Sequence, residues 1–341
     1  MGATWLEDVV ERTDTRLHQF FETKLDEARR TSPKAAELVE AIAELTQRGG
    51  KRLRPCAVLA GYRSVLADRA DTATVDVGAA LELLQSYLLI QDDWMDGDVE
   101  RRGGPAVHYA LSQRHGDETM GAALAMLAGD MACGFAWELL GMAPFPERRL
   151  REAMAAFGRM HFEVVCGQQL DLVEHRDVGL VHDLKSGSYT VRGPLHLGAI
   201  LAGGAPAQIA ALVGFGGPTG VAFQLRDDLL GTFGDPQRTG KSNGNDLRAG
   251  KFTSLIAEAR RALDDGQFAP IAKVLGHRDA GEEDVEVARA LLQSSGARDV
   301  VEARLQESIE KARAALRGAP LLPEGVSLLE DLLNRLTVRE R

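Results

Sequence analysis

Residues 81–96 read LELLQSYLLIQDDWMD, an oily run that ends on three carboxylates, Asp92, Asp93 and Asp96. Leu81, Leu84 and Leu88 recur at helical spacing, so the stretch predicts an α-helix whose last turn carries the acids. On a helix Asp92 and Asp96 share a face, because residues four apart are neighbours. Carboxylates near a helix C-terminus oppose its macrodipole and also repel each other. Such an arrangement needs compensation, and a divalent cation supplies it. A solvated acidic patch is the plainer alternative, but it does not explain acids that cap so apolar a segment. A second cluster, FQLRDDLLGTFGD at residues 223–235, repeats the theme with Asp227 and Asp228. Oxygen ligands with no local His or Cys suit Mg2+, which binds through one or two carboxylates plus substrate phosphates.

The rest of the chain reads as helix as well. Ile42, Leu45 and the run from Ala122 to Leu140 keep helical spacing, and no clear strand alternation occurs. Breaks are expected at Gly103-Gly104-Pro105, Gly203-Gly204 and Gly216-Gly217-Pro218. The polar stretch from Asp264 to Glu286 reads as loops, and Trp94 and Met95 are expected to pack beneath the helix end. With 341 residues, 45% hydrophobic and 26% charged, composition fits a well-packed globular protein. The expected fold class is all-α, as a single domain over residues 1–341, since no boundary should separate two clusters that serve one site. A net charge of −10 argues against a general nucleic-acid binder. Cys56, Cys133 and Cys166 stand far apart, implying neither a disulfide framework nor a zinc site. The charged opening MGATWLEDVVERTDTRL is unlike a signal peptide, and the longest apolar runs read as too short for a membrane span. The expectation is therefore a cytoplasmic protein with no stable membrane insertion.

Basic residues indicate what the metals are for. GGKRLRP places Lys51, Arg52 and Arg54 after the Gly49-Gly50 pair, where backbone can approach an anion and the side chains can bind phosphate oxygens. Arg101 and Arg102 follow the first Asp cluster, Lys185 sits in HDLKSGSYT, and Lys241 and Lys251 follow the second. Any one of these is an ordinary surface group. Interleaved with two Asp clusters, they point to a phosphorylated ligand bridged to carboxylates by metal, and the apolar surroundings point to an oily remainder.

These motifs resemble the trans-isoprenyl diphosphate synthase (polyprenyl synthetase) family. The likeness runs from GGKRLRP at residue 49 to GKFT ending at residue 253, with the motifs in family order. It implies an all-helical fold around a deep central cavity, usually a homodimer, and Mg2+-dependent head-to-tail condensation of isopentenyl diphosphate with an allylic diphosphate. By resemblance, Asp92 and Asp96 hold two Mg2+ ions with Asp93 in support, and Asp227 holds a third with Asp228 beside it. Arg101, Lys185, Gln224, Lys241 and Lys251 match positions that hold the allylic diphosphate, with Ser186 where Thr is common. Lys51, Arg54, Gln85 and Arg102 match the isopentenyl diphosphate site. Gly231 departs from the family by replacing the third Asp of the second motif, a loss expected to matter least because the first Asp is the main ligand.

Rival readings fare worse. A terpene cyclase would carry spaced Asn, Ser/Thr and Glu in its second motif and would lack GGKRLRP. A di-iron bundle needs Glu-x-x-His pairs, which the sequence lacks. A non-catalytic subunit of a heteromeric synthase tends to lose the Asp-rich motifs, and here the first is intact.

Product length is read from the residues upstream of Asp92. Leu88, Tyr87 and Leu84 lie four, five and eight positions back, roughly 6, 7.5 and 12 Å along a helix. A bulky side chain there would stop a growing tail. An aromatic at the fifth position without one at the fourth resembles geranylgeranyl synthases of archaeal type, so a C20 product is expected over C15.

Overall fold

A computed structural model describes residues 4–67, 71–173, 177–234 and 244–337. Of the described residues 81% are helical, in agreement with the all-α expectation. It divides into two compact units, Met1–Ala155 with Leu197–Gly203, and Ala156–His196 with Gly204–Arg341.

The first unit is built on helix α4 (Thr74–Asp96). Around it stand α1 (Trp5–Thr31), α2 (Ala36–Gln47), α3 (Leu53–Arg63), α5 (Val107–His115) and α6 (Glu118–Gly141). From Val77 to Leu84 nearly every α4 side chain is buried, which is why this helix is apolar all round rather than amphipathic. Ala125, Ala128, Ala132 and Ala136 of α6 are at most 1% exposed. Their small side chains let α6 lie close against α4. The helix stops at Gly97, whose φ of +65° suits glycine and whose N–H reaches the Trp94 carbonyl. This stop leaves the three aspartates on the final turn. A two-residue antiparallel pair, β1 (Glu100–Arg101) and β2 (Gly104–Pro105), then turns the chain at the expected glycines.

Two expectations about this unit need correction. Trp94 and Met95 do not pack beneath the helix end, being 42% and 36% exposed. The segments Asp71–Asp96 and Glu118–Gly141 are long and apolar enough, by length and composition, to cross a membrane. Reading only uninterrupted apolar runs missed this, because isolated polar residues break the runs without lowering the mean hydropathy below the range of a span. The apolar stretch of α4 is 67% buried inside the protein, and that of α6 39%.

After α6 the chain forms α7 (Glu147–Leu172), α8 (Val178–His182), a π-helical turn over Asp183–Arg192 and α9 (Gly193–Ala202). The second unit is organised by α10 (Pro206–Phe233), with α8 and the π-helical turn on one side. Next come α11 (Asn245–Arg248), α12 (Ser254–Ala262), α13 (Asp265–Val274), α14 (Glu282–Ser294), α15 (Ala297–Leu316) and α16 (Pro323–Thr337). Helix α10 runs through Gly216-Gly217-Pro218, where a break was expected. Gly216 serves close packing instead: a Cβ there would come within 2.8 Å of the Arg192 backbone. The stretch from Asp264 to Glu286 is likewise not all loop. Asp264 and Gln267 form a capping box, and Phe268, Ile271 and Val274 bury one face of α13.

Candidate functional site

The first Asp-rich motif splits by role within one helical turn. Asp93 is fully buried, whereas Asp92 is half-buried and Asp96 exposed. Asp93 Oδ1 accepts a hydrogen bond from Arg101 Nε at 2.6 Å, and Arg101 also pairs with Asp98 at 3.4 Å. Burial pushes the Asp93 carboxyl up to about 6, against the opposing pull of Arg101. Its Oδ2 is buried with no hydrogen-bond partner. Asp93 therefore fastens the hairpin to α4, and Asp92 and Asp96 are the pair turned toward solvent.

The basic residues of the first unit also divide. Arg48 clamps the hairpin, donating to the carbonyls of Arg101 at 3.0 Å and Pro105 at 2.8 Å. Arg52 was expected to face an anion with Lys51 and Arg54, but it turns inward and is 2% exposed. It pairs with Glu82 at 2.7 Å, with Asp14 at 2.7 Å, and with the Thr46 carbonyl at 2.8 Å. Lys51 is exposed, and Arg54, Arg101 and Arg102 are half-buried. Gln85 is buried on α4, one turn beyond Glu82. Burial lowers the Arg102 pKa, opposed by Glu82 and reinforced by the guanidinium groups of Arg52, Arg54 and Arg101. This concentration of positive charge is the environment an anion requires.

Of the residues expected to set chain length, Tyr87 is buried, with a ring carbon 3.6 Å from where a Cβ on Gly129 of α6 would stand. Leu84 is fully buried and Leu88 half-buried. Leu88 and Leu84 lie one and two turns behind Asp92 on roughly its own face, whereas Tyr87 is directed at α6.

In the second unit Asp228 is 3% exposed and Asp227 half-buried. Asp228 accepts from Gln224 Nε2 at 3.0 Å and from the Ser254 N–H at 2.9 Å. Burial raises its pKa, with Asp246 adding to the rise and His182, Ser254 and Gln224 opposing it. Gly231 follows Asp227 by one turn, and a side chain there would run into the carboxylate of Asp246. Asp246 thus occupies the space that a third acidic side chain of this motif would need. Lys251 pairs with Asp246 at 3.6 Å, and Lys185, on the π-helical turn beside half-buried Ser186, pairs with Asp171 at 2.5 Å. Lys241 lies outside the described residues.

Among the described residues no three His, Cys, Asp or Glu side chains converge as a ready-made metal centre. A pair of carboxylates at one helix end, and Asp227 with Asp246 beside Gly231, still fit Mg2+. That ion keeps waters and takes its remaining oxygens from a phosphate ligand. Two of these residues escaped the sequence reading. Glu82 went unremarked, although a lone acid within the apolar run ten residues before Asp92 was a usable signal. Asp246 sits in SNGNDLRAGK between the two lysines that had been singled out.

A family model described as polyprenyl synthetase matches residues 35–292. The geranylfarnesyl diphosphate synthase of Aeropyrum pernix is 32% identical over 311 residues, covering 88% of this chain and 93% of that protein. The geranylgeranyl diphosphate synthase of Mycobacterium tuberculosis is 32% identical over 298 residues, covering 84% and 80% respectively. A crystal structure of geranylgeranyl pyrophosphate synthase from Corynebacterium glutamicum, complexed with isoprenyl diphosphate and magnesium, matches with a TM-score of 0.92 at 34% identity. That match covers 99% of this chain and 100% of the other. The family match spans both Asp-rich motifs and the GGKRLRP loop, and the chain is a member of the polyprenyl synthetase family.

Proposed function

We propose that this chain condenses isopentenyl diphosphate head-to-tail with allylic diphosphates, with geranylgeranyl diphosphate as its main product. Membership of the family makes it a trans-prenyltransferase of the short-chain class. The observation that carries the reading is that Asp92, one turn before Asp96 at a helix end, interacts with Arg101, whose guanidinium neighbours Arg102, as that of Arg54 does, all within one unit. Carboxylates for a metal and donors for a diphosphate are what this reaction requires.

In this reading Asp92 and Asp96 hold two Mg2+ ions and Asp227 a third, with Asp246 beside it in the space left open at Gly231. Bound Mg2+ supplies electrophilic stabilisation of the diphosphate as its bond to the allylic carbon breaks. Arg101, Lys185, Ser186, Gln224, Lys241 and Lys251 bind that diphosphate and favour its negative charge. Lys51, Arg54, Gln85 and Arg102 hold isopentenyl diphosphate so that its double bond faces the allylic carbon. Apolar residues of α4 upstream of Asp92 keep water from the cation. No side chain stands out as a base, and the departing diphosphate is the candidate. Asp93 and Asp228 act by holding Arg101, Gln224 and Ser254 in place. Both Asp-rich motifs serve one reaction, so the whole chain acts as one catalytic domain.

We further assign a cytoplasmic homodimer. Met120, Met126 and Leu127 of α6 are 47%, 49% and 53% exposed, an apolar face that a second copy would cover. Product chromatography after incubation with isopentenyl diphosphate, Mg2+ and each allylic starter tests the reading. Names among the relatives include both geranylgeranyl and geranylfarnesyl synthases. The expected outcome is predominantly C20, released by the purified chain alone. A predominantly C15 or C25 product would overturn the length, and activity only after adding a second, different chain would favour a heteromeric subunit.

A further inference from the structure

Arg52 and Arg102 are the two non-glycine residues with positive φ among the described residues, at 45° and 52°. Left-handed backbone is strained for an arginine, and such strain gathers at ligand sites. The two are 50 positions apart in sequence, yet their side chains meet over Gly50. A Cβ on Gly50 would stand 3.5 Å from Arg102 Nη2 and 3.8 Å from Arg52 Nη1. Both also reach the C-terminal carbonyls of α2, Arg52 at Thr46 (2.8 Å) and Arg102 at Leu45 (3.5 Å).

The two guanidinium groups repel, and burial strengthens the repulsion. Glu82 is the acid that answers both. Its Oε2 accepts from Arg52 Nη1 at 2.7 Å, its side chain is 2% exposed, and its Oε1 is buried with no hydrogen-bond partner. Asp14 reaches Arg52 from the outer side and is 38% exposed, so it is the weaker hold.

We propose that Glu82 is a positioning residue for the isopentenyl diphosphate half of the site. It locks the strained Arg52, and so fixes the backbone on which Lys51 and Arg54 are carried. Its negative charge also offsets that of Arg102 without engaging that guanidinium in a hydrogen bond. The inference rests on the function proposed above.

The test compares wild type with Glu82→Gln, which keeps the shape and removes the charge, in steady-state kinetics with each substrate varied in turn. The KM for isopentenyl diphosphate is expected to rise about tenfold to a hundredfold, with the KM for the allylic substrate changing by less than about twofold. Calorimetric binding of isopentenyl diphosphate alone should weaken in parallel. A purely structural role would instead lower kcat and raise both KM values together, and that result overturns the inference. An unchanged KM for isopentenyl diphosphate in a folded variant overturns it equally. If Glu82→Gln does not fold, Glu82→Asp, which keeps the charge but withdraws it by one methylene, should show the same selective rise at smaller size. Should it show none, the inference fails. Wild-type protein that turns over neither substrate with Mg2+ would sink the proposed function itself, an outcome distinct from every variant result.

Discussion

The carboxylate of Asp246 stands where any side chain at Gly231 would have to go. One turn along α10 from Asp227, the family's usual acid is missing, and an acid from a following helix takes its place. Gly231→Asp would therefore not add a usable ligand. It would press a second carboxylate into space already filled, and the expected cost is about 1–3 kcal/mol of stability, read by denaturant unfolding. Combining it with Asp246→Gly should recover most of that loss. Greater stability of Gly231→Asp alone would show that Asp246 does not occupy the place.

Half-buried Asp92 stands beside exposed Asp96 at the end of α4, whereas of the isopentenyl diphosphate ligands proposed here Gln85 alone shares that helix. Asp92→Ala should lower kcat by at least about 10²–10³-fold, the scale of losing a group that acts on transition-state charge. The calorimetric Kd for isopentenyl diphosphate should stay nearly unchanged. Equal loss of both would contradict this division of labour.

Tyr87 fills the α4–α6 contact near Gly129. Tyr87→Ala should lengthen products beyond those of wild type by one or more isoprene units, as judged by chromatography. An unchanged product distribution would move the floor of the pocket to Leu88 and Leu84, which follow the face of Asp92.

Burial holds the Asp93 carboxyl at about 6, above its ordinary 3.8. Between these values the folded metal-free chain keeps a proton that the unfolded chain has released. The contribution of Asp93 to stability is then greatest below the ordinary value, and it is lost as pH rises through about 6. In EDTA, the melting temperature of Asp93→Asn should gain on that of wild type as pH rises across this window. Parallel pH profiles for the two proteins would count against a raised Asp93.

The sequence by itself determined the all-α class, the position of Asp92 and Asp96 on one helical face, and the family. Each of these follows from local spacing: a helix repeats every few residues, and two acids four apart need no distant partner to share a side. Which polar residues face a ligand was decided only by tertiary structure. Lys51, Arg52 and Arg54 look alike in GGKRLRP, yet Arg52 turns inward because Glu82, thirty residues away, offers a buried carboxylate. Gly216-Gly217-Pro218 reads as a break, yet α10 continues because the Arg192 backbone packs where a side chain would have been. Asp246 takes the space at Gly231 for the same kind of reason. Sequence distance carries no information about which side chain meets which, since those meetings arise only when helices far apart in the chain pack together.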